Sequence, residues 1–145
     1  MEEKLVFGYE KLQIWQRGMN LWERLHRITS TFPDDERFGL VSQIRRAACS
    51  VPTNIAEGYG KSTNRAFAAM VVHARGSAFE LRTLIDGALR FGYIESDTAK
   101  ELLEEIVEIS KMINGFLKKL EQSQVKETRT DYGVEADAED LKSTV

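Results

Sequence analysis

The sequence predicts an all-α protein, an antiparallel four-helix bundle in up-down-up-down order. Three observations lead there. Apolar residues recur with a 3.6-residue rhythm in four segments, each long enough to be a bundle helix. Only two prolines interrupt the 145 residues. The breaks between segments are short and hold residues that end or cap helices.

The first helix is expected from about Leu12 to Thr29. Trp15, Met19 and Trp22 form one apolar stripe, and Ile14, Gly18, Leu21, Leu25 and Ile28 form a second beside it. A helix in a monomeric bundle needs only one broad apolar face, so the doubled stripe points to a homo-oligomer. The second helix is expected from about Glu36 to Gly58, with Asp34 or Asp35 as N-cap and Leu40, Ile44, Ala47, Ala48, Val51 and Ile55 inward. Pro52 removes one hydrogen bond and crowds the carbonyl of Ala48, yet the apolar rhythm keeps its phase across it. A kink at Pro52, not a break, is the expectation.

The third helix reads from about Asn64 to Phe91, capped by Ser62 or Thr63 and stopped by Gly92. Phe67, Met70, Val71, Ala74, Ala78, Leu81, Leu84 or Ile85, and Ala88 face inward, and Gly76-Ser77-Ala78 offers a neighbouring helix a close approach. Ser96 or Asp97 is the expected cap of the fourth helix, whose stripe is Leu102, Ile106, Ile109, Ile113, Phe116 and Leu120. Glutamates early in this helix and lysines late suit its dipole. The rhythm ends after Gln122. Residues 1–122 therefore read as the bundle, and 123–145 as an acidic, disordered tail.

A chain of this length makes one domain with a real core. Cys49 is the only cysteine, which leaves no intramolecular disulfide and no cysteine-based zinc cage, and fits a reducing cytoplasm. No signal pattern opens the chain and no stretch approaches 18 apolar residues, so a cytoplasmic protein away from membranes is expected. The net charge of −3 is unevenly spread. Residues 11–93 hold twelve Lys/Arg against seven Asp/Glu, whereas 94–122 hold four against seven and 123–145 three against six.

Catalytic and cofactor motifs find little support. Glu23-x-x-His26 has di-iron spacing, but a second such motif and two more inward glutamates are missing. Cys49 reads as a small core residue, with no histidine near it in sequence. Gly58-Tyr59-Gly60-Lys61-Ser62 ends like a phosphate loop, but Ile55 stands where the upstream glycine is required. No catalytic, cofactor or metal residue is assigned.

Two surface constellations remain. Gln43, Arg46, Ser50, Asn54 and Glu57 line one edge of the second helix, either as an assembly or binding stripe or as an ordinary solvated edge. Trp15 and Trp22 join them as interface candidates. Arg17, Arg24 and Arg27 on the first helix, with Arg45, Lys61 and Arg65 around the second and third, are the nucleic-acid candidates, since Lys and Arg supply most phosphate affinity. No recognition motif accompanies them, and the sequence pI is about 5.5.

Residues Leu12 to Arg17, Thr31 to Pro33, Phe38 to Leu40, Ser42 to Ala47 and Val51 to Gly58, continued by Ala74 to Ser77 and Glu80-Leu81, closely resemble the proteins encoded within intervening sequences of bacterial 23S ribosomal RNA genes. The resemblance spans about residues 7 to 121. It implies a four-helix bundle assembled as a ring-like homopentamer, with no established catalytic activity. It also implies a structural relative among the accessory proteins of diversity-generating retroelements, one thought to bind nucleic acid and a reverse transcriptase. Two functions are therefore expected: a non-enzymatic homo-oligomer that binds RNA through basic helix faces, or an adaptor that takes a protein partner in a bundle groove.

Overall fold

The computed structural model describes residues 8–130, with side chains as far as Ser123. After a 3-10 turn at Gly8–Lys11 come four helices: α1 (Gln13–Thr29), α2 (Leu40–Tyr59), α3 (Asn64–Arg90) and α4 (Ser96–Thr130). Consecutive helices lie side by side, and α1 closes the ring against α4. This is the expected all-α four-helix bundle.

The predicted stripes form the core. Ile14, Leu21 and Leu25 of α1 are buried, as are Ile44, Val51 and Ile55 of α2 and Phe67, Val71, Leu81 and Ile85 of α3. All six stripe residues of α4, from Leu102 to Leu120, are buried too. Rings link every layer near one end: Trp15 meets Tyr9 at 5.4 Å, Tyr9 meets Tyr59, Tyr59 meets Phe67, and Phe67 meets Phe116 at 5.2 Å.

Local chemistry explains the boundaries. Thr63 caps α3 by accepting the Ala66 N–H at 3.1 Å. Gly92 ends α3 with φ at 78°, while the Tyr93 N–H reaches the Ala88 carbonyl at 2.9 Å and the Gly92 N–H reaches Leu89 at 3.0 Å. That paired ending needs a residue comfortable at positive φ, which glycine supplies. Helix α2 runs unbroken through the buried Pro52. Gly18 of α1 makes room for it: a Cβ there would stand 3.2 Å from Val51 Cγ1 and 3.4 Å from Pro52 Cδ.

Four expectations need correction. Neither Asp34 nor Asp35 caps α2, because Asp34–Glu36 winds into its own 3-10 turn and α2 starts at Leu40 behind Gly39. Ser96 is the first residue of α4, not its cap, and the Glu95 carbonyl accepts the Ala99 N–H at 2.9 Å. The close approach expected at Gly76-Ser77-Ala78 is made by Ser77, whose Oγ meets Ser50 Oγ of α2 at 2.7 Å, and by buried Ala78, but not by Gly76. Gly76 faces open space, whereas a Cβ on Gly58 would stand 3.0 Å from Met70 Cβ and 3.2 Å from the Phe67 carbonyl. Finally, α4 continues past Gln122 to Thr130, and buried Ser123 accepts a 2.9 Å hydrogen bond from Asn64 Nδ2. Residues 131–145 of the expected tail lie outside the described residues.

Candidate functional site

The arginines of α1 sit at i, i+7 and i+10, so Arg17 and Arg24 share the flank that meets α4. Arg17 grips Glu105 with two parallel bonds, Nε at 2.9 Å and Nη2 at 2.8 Å. Its Nη1 lies 3.4 Å from Met112 Sδ and 4.0 Å from Glu108. The Glu105 hydrogen bonds push the Arg17 pKa upward, against a smaller opposing effect of burial. Arg24 pairs with Glu101 across the same seam, and Arg27 pairs with Glu23 one turn back on α1. Two of these pairs stitch α1 to α4, so their cations are already partnered.

Arg45 of α2 has a different use. Its guanidinium donates to Thr29 Oγ1 at 3.0 Å, to the His26 carbonyl at 3.1 Å and to Ser30 Oγ at 3.2 Å. It thereby covers the C-terminal end of α1, where exposed carbonyls favour a cation. Of the remaining nucleic-acid candidates, Lys61 and Arg65 are exposed beside the α2–α3 turn.

The α2 edge is mixed. Ser50 Oγ meets Ser77 Oγ of α3 at 2.7 Å, and Asn54 Nδ2 donates to the Ser50 hydroxyl and carbonyl, both at 2.8 Å. Gln43, Arg46 and Glu57 are exposed. Arg46 and Glu57 have no oppositely charged group of the described residues within 4.0 Å. Trp15 and Trp22 are half-buried on the α1 flank opposite Arg17 and Arg24. Met19, Trp22, Glu23, His26 and Arg27 line an open hollow of about 390 Å³ there.

Catalytic geometry is sparse. Cys49 is half-buried, its Sγ 3.5 Å from Thr53 Oγ1. Both histidines are exposed. Among the described residues no three His, Cys, Asp or Glu side chains gather as a metal would need, and no helix is long and apolar enough to cross a membrane.

Sequence reasoning missed the opposite side of the bundle. Phe79 is 51% exposed and Val72 43% exposed on the outer side of α3. Phe79, Arg82, Thr83 and Asp86 line a hollow of about 300 Å³ with Leu103 and Val107 of α4. The signal was present as Arg75, Phe79 and Arg82 at i, i+4 and i+7. At one end of the bundle Phe38 is 89% exposed, the Arg37 guanidinium 5.4 Å from its ring centre.

Comparison with curated proteins finds no match. Among solved structures, a protein of unknown function from the S23 ribosomal protein family of Bacteroides thetaiotaomicron superposes with a TM-score of 0.66 at 18% identity, over 72% of this chain and 98% of that one. At that identity the likeness speaks for the fold. The family model described as 23S rRNA-intervening sequence protein matches residues 10–115. With the bundle, its core and most of the chain accounted for, the protein belongs to the 23S rRNA-intervening sequence protein family.

Proposed function

We propose that this chain is a non-catalytic protein that self-associates and binds RNA. The observation that carries this reading is the Trp15–Met19–Trp22 stripe. The fold already buries one full face of α1, yet a second row of large apolar side chains remains half-covered beside an open hollow. Water-facing tryptophans in a row favour a covering surface, and a second copy of the chain is the occupant always at hand. The ring-like homopentamer implied by the family resemblance is the expected assembly. RNA is the expected ligand, held by cations that the bundle does not itself use. Arg17, Arg24, Arg27 and Arg45 are committed to intramolecular bonds, so Arg65, exposed at the start of α3, is the stronger of the candidate contacts.

Light scattering on the full chain, followed by a ribosomal RNA mobility shift at low salt, tests both halves. A mass of several chains and a salt-sensitive shift are expected. A single-chain mass at tens of micromolar removes self-association, and no shift at low salt removes RNA. One observation favours a second reading, an adaptor for a protein partner: Phe38 is nearly fully exposed on a short turn. That reading takes over if the RNA shift fails.

A further inference from the structure

We propose that the outer face shared by α3 and α4 is a binding track for single-stranded RNA, in which Phe79 stacks against a base while Arg65, Arg75, Arg82, Lys111 and Lys118 follow the phosphates. This rests on the RNA reading above and moves its site away from α1.

Spacing and contacts bring the residues together. On α3, Arg65, Arg75, Phe79 and Arg82 fall at i, i+10, i+14 and i+17, all on one side of the helix. That side meets α4: Arg75 Nη1 donates to Asn114 Oδ1 at 3.0 Å, and Phe79 and Arg82 share a hollow with Leu103 and Val107. Lys111 and Lys118 sit one turn before and one turn after Asn114. From Arg65 to Arg82 the track runs about 26 Å along α3, room for several nucleotides.

Charge availability separates this face from α1. Arg17, Arg24 and Arg27 each hold a carboxylate, whereas none of these five cations has a carboxylate of the described residues within 4.0 Å. Arg65, Arg82, Lys111 and Lys118 are also exposed. Phe79 offers a half-open ring, and the Arg82 guanidinium stands 6.0 Å from its centre. An aromatic platform with a cation beside it suits a base and its own phosphate, and a duplex cannot use the platform because its bases are already stacked. Asp86, Glu104 and Glu121 border the face, so the field is modest and binding should be salt-sensitive.

The test is fluorescence anisotropy with a labelled oligouridylate and the full chain, against Phe79→Ala, Arg65→Gln with Lys118→Gln, and Arg24→Gln. Circular dichroism and light scattering check each variant. Phe79→Ala should weaken binding by roughly tenfold with an unchanged salt slope. The double variant should flatten the log–log salt slope by roughly 0.7 per lost contact. Arg24→Gln should bind like the parent, and a duplex RNA should bind more weakly than the single strand. The inference is overturned if the parent binds and Phe79→Ala does not weaken it, if Arg24→Gln does the damage, or if duplex and single strand bind alike. If Phe79→Ala lowers the mass but leaves affinity unchanged, the face is a contact between copies and the track is refuted. A parent chain that binds no oligouridylate but shifts ribosomal RNA also refutes the track, whereas binding neither refutes the RNA reading itself.

Discussion

Arg45 illustrates how much one side chain does in this bundle. It donates three hydrogen bonds around the last turn of α1, to the Thr29 and Ser30 hydroxyls and to the His26 carbonyl. Arg45→Ala should cost about 1–2 kcal/mol, because hydrogen bonds from a charged donor are lost and a cation is removed from the C-terminal end of α1. The melting temperature should drop by several degrees while RNA affinity stays the same. An unchanged melting temperature would show that the cap is idle in solution. Arg45→Lys should recover only part of the loss, since an ammonium cannot reproduce the fork. The Arg17–Glu105 pair makes two parallel bonds but stays partly open to solvent, with side chains 38% and 31% exposed. A double-mutant cycle on it should give a coupling of no more than about 1 kcal/mol after solvent screening. None of these partnerships was legible in the sequence. Glu105 lies 88 residues from Arg17, and only the packed register of α1 on α4 brings the two together.

Helices were far more legible than side-chain partners, for a physical reason. A helix's apolar rhythm is local, and α4 shows it best: the six residues read as its inner stripe are all buried. Helix ends depend on finer chemistry. The acidic run after Pro33 looked like a cap and instead forms a 3-10 turn, while Asn64 draws Ser123 into the core and carries α4 beyond the point where its rhythm fades. Glycines were legible as breaks but not as contacts. Gly58 and Gly76 should therefore respond oppositely to alanine. At Gly58 the added carbon meets the Phe67 carbonyl and Met70 Cβ, neither of which can easily move, so Gly58→Ala should destabilise by about 1–3 kcal/mol. At Gly76 nothing lies within 4 Å and the helix gains a better former, so Gly76→Ala should stabilise by about 0.5–1 kcal/mol. Chemical denaturation of the two variants checks both signs, and a shared sign would contradict the packing described here.

At the scale of the molecule, the bundle has two sides of different character. The α1 side is rich in tryptophan, and its arginines are tied into ion pairs, two of them with α4. The outer α3–α4 side carries arginines and lysines without a carboxylate partner among the described residues, together with a half-exposed phenylalanine. As proposed above, self-association falls to the first and RNA to the second. Trp15 and Trp22 were singled out from the sequence because two stripes on one helix exceed what one bundle can bury. The α3–α4 side was not, because its cations are dispersed over some fifty residues and gather only when the two helices pack antiparallel. The proposed self-association requires the α1 stripe to be the contact between copies. Light scattering of the parent, Trp22→Glu and Phe79→Ala chains at matched concentration tests it most directly. A parent mass of several chains should fall toward the 16.5 kDa of one chain in Trp22→Glu and stay unchanged in Phe79→Ala. A monomeric parent, or a Trp22→Glu variant that keeps the parent's mass while remaining folded, would contradict it.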